Sequence, residues 1–177
     1  MQAARKIGVV VILLAMVAFV VLQAGIFKDT PKKERPVQQP ITKDYEPSFT
    51  HEGEVWFLGT DGDTLATLPM EVAETSEEIQ YGMMYRKSFK PTMYAMLFLM
   101  PGGDQPRSFW MRNTIVPLDI IYINSNREVV SIVENARPMD DTSLPSEGPA
   151  SFVIEVPSGY TRSRGIAAGT KVAWMRF

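Results

Sequence analysis

Cysteine is absent from this chain, and histidine occurs once, as His51. The first absence removes thiol nucleophiles, a disulfide framework and a lipoprotein anchor together. The sole histidine lies at the boundary between tether and domain, so a Ser-His-Asp triad or a histidine-based zinc site is not expected. A glycine-rich phosphate loop is missing too, since Pro101-Gly102-Gly103-Asp104 has the composition of a turn. Positive charge is short where a nucleic acid would need it. Residues 51–177 hold 11 basic and 16 acidic side chains, net −5, with no basic cluster, so nucleic acid is not expected as a partner. No cofactor and no resident metal are expected either.

The amino-terminal end speaks of location. Arg5 and Lys6 precede an apolar stretch of 21 residues, Ile7 to Phe27, whose one polar interruption is Gln23. As a helix it has the length to cross a hydrocarbon core of about 30 Å. Residues 1–27 are therefore expected to form a single transmembrane anchor, with the remainder extracytoplasmic, in the periplasm or outside the cell. Basic residues ahead of the stretch favour that orientation, although Lys28, Lys32, Lys33 and Arg35 behind it blunt the asymmetry. The alternative is a signal peptide, cleaved near Leu22-Gln23-Ala24 to give a secreted protein. Residues 28–50 carry Pro31, Pro36, Pro40 and Pro47 among Lys, Glu and Gln with no hydrophobic period, which reads as a tether. Residues 51–177 are the size of one domain with one core.

Within that domain the pattern is mostly strand. Val55–Leu58, Leu65–Val72, Leu97–Met100, Phe109–Met111, Leu118–Ile123, Glu128–Val133, Phe152–Val156 and Val172–Met175 are apolar or alternating runs bounded by turn residues. Asp61-Gly62-Asp63 and Ser125-Asn126 read as hairpin turns. Pro69 marks Leu65–Val72 as an edge strand. Thr75-Ser76-Glu77-Glu78 has the form of a capping box and predicts one short helix, with Ile79, Met83 and Met84 on its buried side. Gly159 to Gly165 suits a short helical turn. The expected fold is mainly β: a single small β-sandwich or barrel-like domain with one short helix, preceded by the transmembrane helix.

Three segments carry a resemblance to a known family. They are Thr75 to Arg86 with Gly82-Met83-Met84-Tyr85-Arg86, Ala95-Met96-Leu97-Phe98, and Phe109-Trp110-Met111-Arg112-Asn113-Thr114 followed by Pro117-Leu118-Asp119. Together they resemble family 192 of the domains of unknown function over roughly residues 52–174. Phe152-Val153-Ile154-Glu155 and Gly169-Thr170 match its later segments. Arg112 stands for the usual Lys, Met83 for Leu, Ala95 for Gly and Thr170 for Asp. The resemblance implies a compact, mainly β domain and specifies no activity.

The polar knot Arg112-Asn113-Thr114 between apolar runs, with Asp119 just beyond, is where a site is expected. As a pocket, Arg112 would hold an anionic or carbonyl group bidentately, Asn113 an amide or hydroxyl, and Asp119 would accept a proton. Trp110 would be a stacking platform, and Arg86, Glu134 and Glu155 stand at the edges of apolar elements as further members. The competing reading is structural, with Arg112 and Asp119 an ion pair, Asn113-Thr114 closing a turn on its own backbone and Trp110 in the core. Three functions follow: a binding module for a small polar ligand, a glycan or a partner protein; a structural domain; or a hydrolase or lyase pairing Asp119 with Glu134 or Glu155 on an envelope glycan or small polar substrate. Two metal readings are weaker. Asp140-Asp141 with Glu147 lacks the spacing of a calcium loop. The methionines Met83, Met84, Met93, Met96, Met100 and Met111 suit Cu(I) by softness, yet equally suit an irregular core.

Overall fold

A computed structural model describes residues 46–89 and 94–177. In chain order the elements are β1 (Gly53–Leu58), β2 (Thr64–Ala73), α1 (Ser76–Tyr81), β3 (Ala95–Leu99), β4 (Ser108–Phe109), β5 (Leu118–Ile123), β6 (Val129–Ala136), β7 (Leu144–Pro145), β8 (Phe152–Pro157), α2 (Tyr160–Ser163) and β9 (Lys171–Arg176). Seven strands make one sheet in the order β6-β5-β8-β3-β2-β1-β9, and β4 pairs with β7 in a separate ribbon. All pairings in the large sheet are antiparallel except β2 with β3. A parallel pair needs a crossover, and α1 lies in that connection.

The two outermost strands of the order meet at one end. Glu128 and Lys171 form an antiparallel bridge. Backbone hydrogen bonds run from Val129 to Thr170, from Gly169 to Val129 and from Val172 to Arg127, at 2.8–2.9 Å. The sheet is thus curled so that β9 touches β6 as well as β1. Val55, Phe57, Met70, Leu97, Ile121, Ile154 and Val172 fill one face. The other face of β3, β5 and β8 carries Met96, Phe98, Ile120, Tyr122 and Val153, beneath Met83, Tyr94, Met111 and Val116. These middle strands are covered on both sides, and all six residues of β5 are buried. Burial on both faces explains near-continuous apolar runs, interrupted only by Asp119 in β5 and Glu155 in β8, where a half-exposed strand would alternate.

The mainly β character holds, but the expected fold class needs correction. Among the described residues no helix is long and apolar enough to cross a membrane. The helices of the domain are α1, of six residues, and α2, of four. The stretch 7–27 and the tether as far as residue 45 lie outside the described residues. From residue 46 the chain already belongs to the domain: Glu46 accepts the Lys87 N–H, and the Phe49 ring stacks on Tyr94 with centroids 4.2 Å apart. Strand β2 is interior, not an edge. Pro69 is accommodated because β3 pairs only with Met70 to Ala73, so the proline stands one residue before that ladder begins.

Candidate functional site

The capping box forms as its residues dictate. The Glu78 N–H donates to Thr75 Oγ1 at 3.2 Å, and Glu78 Oε2 accepts the Thr75 N–H at 2.9 Å. Helix α1 then stops after Tyr81, because Gly82 takes φ 45° and ψ −125° and turns the chain away. Met83 and Met84 are consequently buried beyond the helix rather than on its face. Between this helix end and the sheet lies a cleft of about 190 Å³. Its walls are Ile79 to Met84, Phe98, Met100, Ser108, Phe109, Trp110 and Thr114, with Glu155 of β8 among them. A Cβ at position 82 would come within 2.9 Å of the Phe98 ring and 3.8 Å of Glu155 Oε2. Glycine here keeps the space open and tolerates the positive φ.

Glu155 is the unusual member. It sits mid-sheet, opposite Met96 on β3 and Ile120 on β5, and is 4% exposed. Among the described residues its Oε2 has no hydrogen-bond partner. Burial pushes its carboxyl up to about 8, against the opposing pull of the Arg86 charge. At neutral pH the group is mostly a protonated acid, a donor lodged among aromatic and methionine side chains. The nearby Tyr122 does not serve it. That hydroxyl donates to the Leu144 carbonyl, and burial, reinforced by Glu155, holds it far above the usual phenol range.

Arg86 is also buried and is already matched. It donates to Glu71 Oε1 at 2.7 Å and to the Tyr94 hydroxyl at 3.0 Å, while its Nε is unpartnered. Burial works against its charge, but those two bonds outweigh it and hold the guanidinium protonated.

The other sequence candidates separate. Asp119 is fully buried and accepts four hydrogen bonds: from the N–H groups of Asn135, Gly159 and Thr161 and from the Thr161 hydroxyl, at 2.7–3.1 Å. It ties β5 to β6 and to the start of α2, and it does not meet Arg112. Arg112 instead lies over the Trp110 ring at 4.4 Å and bonds Asp141 through Nε and Nη2 at 3.0 and 3.3 Å. Asn113 closes the turn at φ 56°, its carbonyl accepting the Tyr85 N–H and its amide reaching Met84 Sδ at 3.8 Å. Thr114 is buried and lines the cleft. Glu134 pairs with Arg162 on the surface at 2.6 Å. Of the eight candidates the cleft therefore gathers Trp110, Thr114 and Glu155. Arg112 stands beside it on Trp110, and Arg86 acts on Glu155 only through its charge.

Among the described residues no group of three or more His, Cys, Asp or Glu could hold a metal ion. Asp140 is used by Arg137 and the Thr142 N–H, and Asp141 by Arg112. Met83, Met84 and Met100 do line the same cleft, whereas Met96 and Met111 are core and Met93 lies outside the described residues. Gly82, Phe98 and Ser108 are cleft residues that the sequence did not mark as site members. The readable signal was a glycine at a helix end together with an acid inside an apolar strand.

Comparison with known proteins places these residues in context. The family model for domain of unknown function 192, described as Uncharacterized ACR, matches residues 58–174. A UPF0127 protein of Pyrococcus furiosus is 27% identical over 99 residues, covering 54% of this chain and 77% of that protein. The solved structure of a protein of unknown function from Novosphingobium aromaticivorans is 34% identical with a TM-score of 0.65, over 77% of this chain and 98% of that one. A Sinorhizobium meliloti structure, described as a candidate transcription regulator, is 29% identical with a TM-score of 0.66, over 73% and 98% of the two chains.

Proposed function

From a chain that belongs to family 192 of the domains of unknown function, we propose a binding module whose ligand, small and mainly apolar with one hydrogen-bonding group, enters the cleft beside α1 and is anchored by Glu155. The observation that carries this reading is the buried Oε2, unpartnered among the described residues, of an acid that lines the cleft. A buried carboxyl without a partner costs stability, and an apolar residue would pack the same place at no such cost. Gly82 adds to the argument, because any other residue there would narrow the space above the acid. The size and apolar walls of the cleft favour a small molecule over the glycan or protein partner also expected from the sequence.

The carboxylate hydrolase or lyase is less well supported. It needs two acids roughly 5–10 Å apart across a substrate. Glu155 is the one carboxyl in the lining, Asp119 is saturated by four donors, and Glu134 is held by Arg162. A transcription-regulating role does not transfer either, given the net −5 charge of residues 51–177. For location we propose the extracytoplasmic side, from the apolar stretch behind Arg5 and Lys6. An export-dependent reporter fused after Phe177 tests it, and a fusion that is expressed but shows no reporter activity refutes it.

A fragment screen followed by amide chemical shifts tests the binding reading. Hits should perturb Gly82, Phe98 and Trp110 and weaken at least tenfold in Glu155→Gln. A screen whose hits all map elsewhere, or bind the variant equally, removes it.

A further inference from the structure

We propose that the ligand of this cleft is an amine, whose ammonium group sets against the Glu155 carboxylate while its apolar part lies along Phe98, Phe109 and Trp110. This rests on the binding reading above and adds the charge of the ligand to it. Three observations point to a cation. Among the described residues the lining contains an acid and no basic side chain. The nearest buried cation, Arg86, is already matched by Glu71 at 2.7 Å, so it is not the countercharge of Glu155. Most of the remaining walls are aromatic rings and thioethers, whose polarisable surfaces favour an organic cation over an anion. Ser108 is engaged with Ser143 at 2.7 Å and Thr114 with the Arg112 carbonyl at 3.4 Å. The polar lining also includes Tyr81 and the exposed Gln80, and Glu155 is its one acid and the anchoring group.

Binding then exchanges one charge for another. The ammonium enters, the carboxyl proton leaves to solvent, and no covalent bond changes. Below about pH 8, where burial keeps the acid protonated, the amine must displace that proton. Affinity should rise about tenfold per pH unit from pH 6 and level off above about pH 8, proton release falling with the slope from about one to none. The groups facing Glu155 are Tyr122 from β5, Tyr81 from α1, and Arg86 with its partner Glu71 on β2; Arg112, held by Asp141, stands at the rim. Burial pushes the Tyr122 hydroxyl up, and Arg86 is held protonated by its bonds to Glu71 and Tyr94, so neither loses its proton in this window.

Calorimetric titration of the full chain with phenethylamine, 2-phenylethanol and phenylacetate, in buffers of different ionisation enthalpy, separates the possibilities. The inference expects the amine to bind at least tenfold tighter than the alcohol at pH 8, with the pH slope and proton release described. It also expects phenylacetate to be the weakest, and Glu155→Gln to lose both the slope and the preference. The wild-type slope and proton release decide the matter even where the variant folds poorly. Alcohol binding as tight as the amine, or amine binding independent of pH, overturns the amine while leaving the cleft as a site for a neutral ligand. If none of the three binds and the fragment screen is also silent at Gly82 and Trp110, the binding reading falls with it.

Discussion

Glu155 and Asp119 are both buried acids, and their surroundings give them opposite roles. Asp119 accepts four hydrogen bonds, so its charge is fully solvated by the protein. Removing it in Asp119→Ala strands three backbone N–H groups and a hydroxyl, and should cost at least about 3 kcal/mol in urea unfolding. Asp119→Asn keeps one acceptor oxygen and should fall between. Neither variant should change ligand discrimination in the cleft, because no bond links Asp119 to it. Glu155 has the reverse linkage. Its carboxyl titrates near 8 when folded against a reference of 4.5, so the folded state binds the extra proton between those values. Stability from this residue is full below about pH 4.5 and lost as pH rises to about 8, on the order of 5 kcal/mol over the window. Melting curves should therefore show Glu155→Gln gaining on the wild type as pH is raised from 5 to 8. A gap between the two that stays constant with pH would refute a raised carboxyl.

Helix α1 shows how local grammar and distant packing combine. Thr75→Ala removes the cap oxygen that receives the Glu78 N–H, and should cost about 1 kcal/mol, measured by thermal unfolding. Gly82→Ala acts differently, since it forces a Cβ against the Phe98 ring at a positive φ. It should destabilise by roughly 1–2 kcal/mol and also weaken cleft ligands, whereas Thr75→Ala should leave their affinity nearly unchanged. The cap, β5 and β8 were legible in the sequence because each is specified by neighbours within a few residues: Thr75 by Glu78, and the strands by apolar runs with a single acid in each. What escaped was set by partners far along the chain. Asp119 finds its donors 16 to 42 residues away, and Arg112 finds Asp141 at a separation of 29. The proline in β2 misled for the same reason, since its tolerance depends on where β3 begins to pair. Strands as short as β4 and β7 have too few residues to show any period. Glu155 was visible as an acid in an apolar strand, but nothing local told that its partner would be missing.

At the scale of the molecule, β9 is the strand on which the curl of the sheet depends. It pairs along β1 from Gly53 to Leu58 and touches the start of β6 through Val129, Thr170 and Arg127. Val172, on β9, is part of the face shared by all the large strands, and Trp174 packs at its border against Phe152. The contact between β9 and β6 includes one salt bridge, Lys171 to Glu128 at 2.8 Å, with both side chains substantially exposed. Such a pair contributes about 0–1 kcal/mol in water and less with added salt. The junction must instead rest on backbone hydrogen bonds and the apolar residues beneath them. Lys171→Ala should therefore lower stability by less than about 1 kcal/mol, an effect that fades at high salt. Ending the chain at Thr170 should abolish cooperative unfolding, because it bares the edge of β1 and opens one face of the core. The pair of measurements assigns the closure. A large, salt-sensitive loss from Lys171→Ala would place the seam in the ion pair, and a truncated chain that still melted cooperatively would show that β1 and β6 need no strand between them.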